Sequence, residues 1–159
     1  MHEIKLRDLL SKDKQLIEEA ERVMSYAYNP YSNFFVGAAL RTNDGQVFSS
    51  ANVENSAYGS TICAERGAIM HANAHGQRLY EKLALIGKGK DFESEDVITP
   101  CGSCRQMLYE FSSLNDKPLE IIMCNTRKDK IKIATIDELL SMAFGPKELG
   151  FDLEKLRNP

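Results

Sequence analysis

Between Asp13 and Tyr28 the apolar residues Leu16, Ile17, Ala20, Val23, Met24 and Ala27 recur at steps of three and four, which is one face of an amphipathic helix. Asn29-Pro30 ends it, because a residue before proline is driven out of the α region. Phe35 to Thr42 is small, apolar and extended in character. Asn43-Asp44-Gly45 is a hairpin turn, and Gln46 to Ala51 returns as a second strand. From Ile62 to about Asn73, Ala64, Ala68, Ile69 and Ala72 give a second helix, with Ser60 or Thr61 as its cap. Lys82 to Gly87 predicts a strand, Pro100-Cys101 opens a short helix to about Ser112, and Leu119 to Asn125 predicts a buried strand. Ile131 to Ile133 is a weaker strand. Thr135 then caps a helix over Ile136 to Met142, with Glu138 at the capping-box position. Helices and strands alternate, so the natural architecture is an α/β layered sheet with helices on its faces.

Composition narrows this to one domain. A chain of 159 residues, 43% hydrophobic and 27% charged, has the core of one soluble globular unit and lacks the bias of a disordered or fibrous chain. Residues 1–12 are a lead-in and 147–159 a short amphipathic extension. The stretch from Lys88 to Thr99, with Asp91, Glu93, Glu95 and Asp96, is a polar surface loop. Met1 to Asp13 lacks the apolar core of a signal peptide, and no apolar run approaches the ~20 residues of a membrane span. The expected address is cytoplasmic, with no membrane partner. Thiols stay reduced there, so four cysteines are metal ligands or buried side chains rather than disulfides. Net charge is −3, and no dense run of Lys and Arg offers a nucleic-acid footprint.

Candidate chemistry gathers at two helix starts. Cys101-Gly102-Ser103-Cys104 is a C-x-x-C pair on a first helical turn, where two thiols face one way and the helix dipole favours thiolates. Alone it also fits redox enzymes and structural zinc sites. Cys63-Ala64-Glu65 adds a third thiol at the start of another helix, with a carboxylate two residues on. Three ligands leave a fourth tetrahedral position open, the mark of catalytic zinc, and zinc lowers the pKa of water toward ~7. Glu65 then stands beside that position as a proton carrier without being a ligand. Three thiolates on Zn²⁺ make a net anion, so positive charge is needed nearby. Arg66 is the first candidate and Arg105 the second. Two other metal readings are weaker. Cys124 lies in the apolar run Ile121 to Cys124, where an inert buried thiol is the common outcome, and a strand interior seldom supplies a fourth structural ligand. His71 and His75 stand i, i+4, but near the helix end and without a carboxylate partner they read as partly exposed helix residues.

Four ordered segments resemble the small cytidine deaminases with a three-cysteine zinc site. They are Tyr31-Ser32-Asn33-Phe34-Phe35-Val36-Gly37-Ala38-Ala39-Leu40, Asn52-Val53-Glu54-Asn55, Cys63-Ala64-Glu65-Arg66, and Pro100-Cys101-Gly102-Ser103-Cys104-Arg105-Gln106. The resemblance covers Asn29 to about Pro146. It implies a three-layer α/β/α sandwich on a mixed, mostly five-stranded sheet, and hydrolytic deamination of cytidine and 2′-deoxycytidine in pyrimidine salvage. It also implies zinc on Cys63, Cys101 and Cys104, Glu65 as proton shuttle to N3 and the leaving amine, and Arg66 hydrogen-bonded to the thiolates. Phe34 would pack on the base, Asn52 and Glu54 would hold the ribose 3′-hydroxyl, and the backbone of Ala64 and Thr99 would read the base. Phe144 resembles the aromatic residue that reaches a neighbouring subunit's site, which implies a homotetramer with sites at subunit interfaces and a nucleoside substrate.

The chain departs from the family pattern at Gly67, at Ser56-Ala57, and in a longer stretch from Lys88 to Thr99. These bear on tolerance of N4- or C5-modified cytidines. Competing expectations are a deaminase of another substrate, as in blasticidin S deaminases, and an inactive zinc-stabilised binding module. Glu54 speaks against the first and the intact Cys63-x-Glu65 against the second.

Overall fold

The computed structural model describes residues 1–92 and 94–157, so Glu93 of the polar loop and Asn158 and Pro159 of the tail lie outside the described residues. In chain order the main elements are β1 (His2–Ile4), α1 (Ser11–Met24), β2 (Phe34–Thr42), β3 (Val47–Ala51), α2 (Ala64–Ala74), β4 (Tyr80–Gly89), α3 (Gly102–Ser112), β5 (Glu120–Cys124), β6 (Ile131–Thr135) and α4 (Ile136–Leu139). The strands form one sheet in the order β1-β6-β5-β4-β2-β3. Only β4 and β5 pair in parallel among the described strands, and α3 is the crossover that such a pair requires.

Successive residues of the central strands serve opposite faces, so both faces are apolar. Ala38 and Leu40 of β2 and Leu83 and Leu85 of β4 face α2 and α3, meeting Ala68, Ile69, Ala72 and Leu108. Ala39, Ala84 and Ile86 face the other way and pack on Leu16, Ile17, Ala20 and Met24 of α1. The hairpin turns where expected, with Gly45 at φ +90°, a conformation that glycine alone takes without strain. Thr135 and Glu138 close the expected capping box.

Four expectations need correction. Helix α4 ends at Leu139 rather than Met142, which takes a left-handed φ of +54°. The sheet has six strands rather than mostly five, because the lead-in supplies β1, whose His2, Glu3 and Ile4 pair with Ile133, Lys132 and Ile131 of β6. A three-residue strand with no apolar alternation gives no pattern to detect. Helix α1 ends at Met24, four residues before Tyr28, because Tyr28 is drawn into backbone bonds with Asn52 and Glu54. The cap of α2 is Cys63 itself, not Ser60 or Thr61, which lie in and after a short 3₁₀ turn.

One polar cluster lies between α1 and the sheet. Asp13, almost fully buried, accepts from Arg41 Nη2 at 2.6 Å and Lys82 Nζ at 3.0 Å. Arg41 also donates from Nε to Glu81 at 2.7 Å and from Nη1 to the Lys12 carbonyl at 2.9 Å, and Lys82 pairs with Glu120 at 2.7 Å. No helix among the described residues is long and apolar enough to cross a membrane.

Candidate metal centre and pocket

Cys63 and Cys101 hold equivalent places, each the residue before the first turn of a helix, with extended backbone at φ −69°, ψ 153° and φ −67°, ψ 165°. Neither position carries a side-chain cap, so the unpaired N–H groups and the positive ends of α2 and α3 point into one space. Cys104, fully buried on the first turn of α3, completes the group, and the three Sγ atoms lie within 4.8 Å of one another. This is the only cluster of three or more metal-ligating groups of that kind among the described residues.

The thiols fit a zinc ion. Three sulfurs on a tetrahedral zinc at ~2.3 Å stand about 3.8 Å apart, which falls within the 4.8 Å limit that holds all three here. Their proton chemistry agrees. Hydrogen bonding from Cys104 brings the Cys63 thiol down to about 5, against burial and with help from Arg66. Donating that bond, together with burial, pushes Cys104 far up. The Cys104 thiol proton is thus held against the Cys63 sulfur, at a place where a dication would bind the deprotonated thiols.

Glu65 sits on the first turn of α2 and is 4% exposed. Burial first, and the neighbouring Cys63 second, push its carboxyl up to about 6. Arg66 donates Nη2 to the Thr61 carbonyl at 2.7 Å and to Cys63 Sγ at 4.0 Å, while its buried Nε has no partner. Burial disfavours the guanidinium charge, yet the bond to Cys63 and the surrounding thiols raise its pKa overall. The second cationic candidate is differently employed. Arg105 donates to the carbonyls of Pro100 at 2.8 Å and Leu139 at 2.9 Å, so it clamps the backbone leading into Cys101. Gly67 is a matter of space, because a Cβ there would lie 2.3 Å from Ser50 Oγ on β3.

A cavity of about 370 Å³ opens over the thiols. Phe34, Asn52, Glu54, Cys63, Ala64, Glu65, Thr99 and Cys101 all line it, together with Ser32 and Val36, which the first sequence motif contains without a role, and Thr61, Leu85 and Ile98, which lie outside the motifs. Leu85 was visible only as a strand residue, and Ile98 only as part of a polar loop. Asn52 bridges the backbone, accepting from Val36 N and donating to the Phe34 carbonyl, both at 2.9 Å, so it fixes the pocket edge and keeps one N–H and one lone pair free. Glu54 Oε2 accepts from the N–H groups of Tyr31 at 2.9 Å and Ser32 at 3.2 Å. The Ser32 hydroxyl and these N–H groups hold its carboxyl below the ordinary range. Phe144 does not line this cavity. It is 60% exposed, tied down only by its carbonyl, which accepts from Gln106 Nε2 at 2.8 Å.

The 88–99 loop folds back over the same pocket. The Lys90 N–H donates to the Asn33 carbonyl at 2.9 Å, and Asp96 pairs with Lys132 at 2.8 Å. The Phe92 ring lies on Gly89, where a Cβ would stand 2.2 Å from Cε1, and its centroid is 6.3 Å from that of Phe34. The loop expected to be a solvated connection therefore contributes Ile98 and Thr99 to the lining and braces Phe34 from outside.

Residues 10–115 match the family described as the cytidine and deoxycytidylate deaminase zinc-binding region. The chain is 37% identical over 142 residues to a cytidine deaminase of Sporosarcina psychrophila, covering 89% of this chain and 98% of that one. A probable cytidine deaminase of Dictyostelium discoideum is also 37% identical, over 86% of both chains. Among solved structures, cytidine deaminase from Burkholderia pseudomallei superposes with a TM-score of 0.73 at 41% identity, over 82% of this chain and 97% of that chain.

Proposed function

The chain belongs to the cytidine deaminase family, and on that premise we propose that it hydrolyses cytidine and 2′-deoxycytidine to uridine and 2′-deoxyuridine, releasing ammonia. The observation that supports this most is one cavity lined by Glu65, Cys63 and Cys101 together with Phe34, Asn52 and Glu54, with the buried Cys104 thiol grouped beside Cys63 and Cys101.

Zinc held by the three cysteines supplies the Lewis acidity that readies water as a nucleophile near neutral pH. Glu65 accepts a proton from the attacking water and passes it to N3. It then carries the second proton to the amine as the C4–N4 bond breaks. Oxygen replaces nitrogen on C4, so one water is consumed for each ammonia released. Arg66 offsets the negative charge of the thiolates and keeps Cys63 ionised. Phe34 packs on the base, the backbone of Ala64 and Thr99 reads its edge, and Glu54 with Asn52 takes the ribose 3′-hydroxyl. Leu85 and Ile98 exclude water from the base side.

The substrate is a nucleoside, the 159 residues act as one domain, and the site works in the cytoplasm in pyrimidine salvage. We place Phe144 in a neighbouring subunit's pocket within a homotetramer. Phe144 shares its exposed stretch with Met142, Leu149 and Phe151, an apolar surface suited to a second copy. A monomeric mass in light scattering would remove this part of the proposal.

The test of activity is direct. Zinc-loaded protein is expected to shift the ultraviolet spectrum of cytidine to that of uridine, and Glu65→Gln to lose at least about 10²- to 10⁴-fold in turnover while keeping its zinc. An unchanged cytidine spectrum with stoichiometric zinc bound overturns the proposal.

A further inference from the structure

At the far end of α2 from Cys63, His71 in the last turn and His75 at its C-cap stand one turn apart, both exposed. Their Nδ1 atoms are committed. His71 Nδ1 lies 3.2 Å from the Ser49 carbonyl of β3, and His75 Nδ1 lies 2.9 Å from the His71 carbonyl. A carbonyl oxygen only accepts, so each Nδ1 carries the hydrogen, and the lone pair of each neutral ring resides on Nε2. A metal-ligating imidazole is ordinarily held in this way, its second nitrogen donating to a carbonyl that fixes tautomer and orientation.

The rings are also held in place. Both lie 5.2 Å from the buried Phe48 ring, and their centroids are 5.1 Å apart. Two imidazoles bound through Nε2 to one ion at about 2.0–2.1 Å, with a tetrahedral angle between them, have centroids about 5 Å apart. Packing against Phe48 on one side restricts the rotamer freedom that such a chelate would otherwise lose on binding. The negative end of the helix dipole, at the same turn, favours a cation.

We propose that His71 and His75 form a second metal site, a two-nitrogen chelate for a borderline divalent transition ion such as Ni²⁺, Cu²⁺ or Zn²⁺, completed by water and independent of the cysteine centre. Two neutral nitrogens without a carboxylate select against Mg²⁺ and Ca²⁺, which require oxygen ligands. Binding is weaker than at three thiolates, and because it ties the C-cap to the last turn of α2 it stabilises that end of the helix.

The site is tested with protein already carrying one zinc per chain. Calorimetric titration with Ni²⁺ is expected to show one further saturable ion per chain, with a rise in Tm and no zinc appearing in solution. His71→Gln and His75→Gln each weaken that event at least about tenfold, since a single imidazole loses the chelate. His2→Gln leaves it unchanged, and cytidine turnover of both α2 variants matches the parent, which reports an intact fold and cysteine centre. Ni²⁺ uptake matched by zinc release, a saturable event unaffected by either substitution, or no second event at all each overturns the proposal.

Discussion

The two charged clusters of this chain sit on opposite faces of the same sheet and solve opposite problems. Under α1, Asp13 has both carboxylate oxygens bonded to cations, and Arg41 and Lys82 each hold a second acidic partner. Every long-range charge is closed. Under α2 and α3, three thiols and a buried carboxyl face one guanidinium, whose Nε has no partner, and Glu54 is held to the backbone through Oε2 at the pocket edge. The first cluster locks a helix to a sheet and leaves no valence for a ligand. The second is short of positive charge and of hydrogen-bond partners, which is the state of a site built for an ion and a polar substrate.

The largest expected effect comes from opening the closed cluster. Asp13→Ala leaves Arg41 and Lys82 facing a buried space without their shared anion, and breaking a buried ion pair from one side costs about 3–5 kcal/mol. Urea denaturation should show that loss, while kcat/KM for cytidine, measured where the variant is folded, stays within about twofold of the parent. Acid sharpens the same point. The Arg41 hydrogen bond, more than any other influence, holds Glu81 below its ordinary 4.5. Its contribution is complete above that value and is lost as pH falls through the lowered folded value, so acid should narrow the stability gap between parent and an Arg41→Met variant. A variant at Asp13 that keeps its stability and loses activity would erase the distinction between the two clusters.

The open cluster predicts the reverse pattern. Glu54→Gln keeps an oxygen for the Tyr31 and Ser32 N–H groups but removes the charged acceptor from the pocket. KM for cytidine should rise about ten- to a hundredfold with little change in Tm. Unchanged KM would take Glu54 out of substrate binding.

The sequence disclosed these clusters unequally. Cys63, Cys101 and Cys104 were legible because metal ligands must be of few residue types and stand here at helix starts, and Glu65 because it follows Cys63 by two residues; these constraints leave marks in local spacing. Asp13 gave no sign, being one acid among many on a helix, with a role set by Arg41 and Lys82 on strands far along the chain. The hairpin and the existence of strands β4 and β5 followed from turn chemistry and hydrophobic pattern, whereas β1 and the early end of α1 depend on backbone pairing with distant segments. The same limit applies to Arg105, whose guanidinium was the second cationic candidate and is instead taken by two carbonyls and the Thr99 hydroxyl. It applies most to the 88–99 loop, where polar composition concealed Ile98 and Phe92.

Phe92 gives the smallest effect and the finest distinction. Its ring fills the space over Gly89 and meets the outer side of Phe34, whose edge also approaches Gly87. It lies outside the cavity lining, so it acts through Phe34 as a positioning residue. Phe92→Ala frees the Phe34 ring to tilt, which weakens its stacking on the base by about two- to tenfold in KM, the range of an aromatic pair, and leaves kcat unchanged. Phe92→Leu, which keeps the bulk, should recover most of that loss. A general loosening of the fold would lower Tm and kcat together and would not be rescued by leucine at one loop position. Relaxed discrimination against 5-methylcytidine in Phe92→Ala alone would show that the pocket owes part of its selectivity to a loop, whereas the closed cluster under α1 owes nothing to any loop at all.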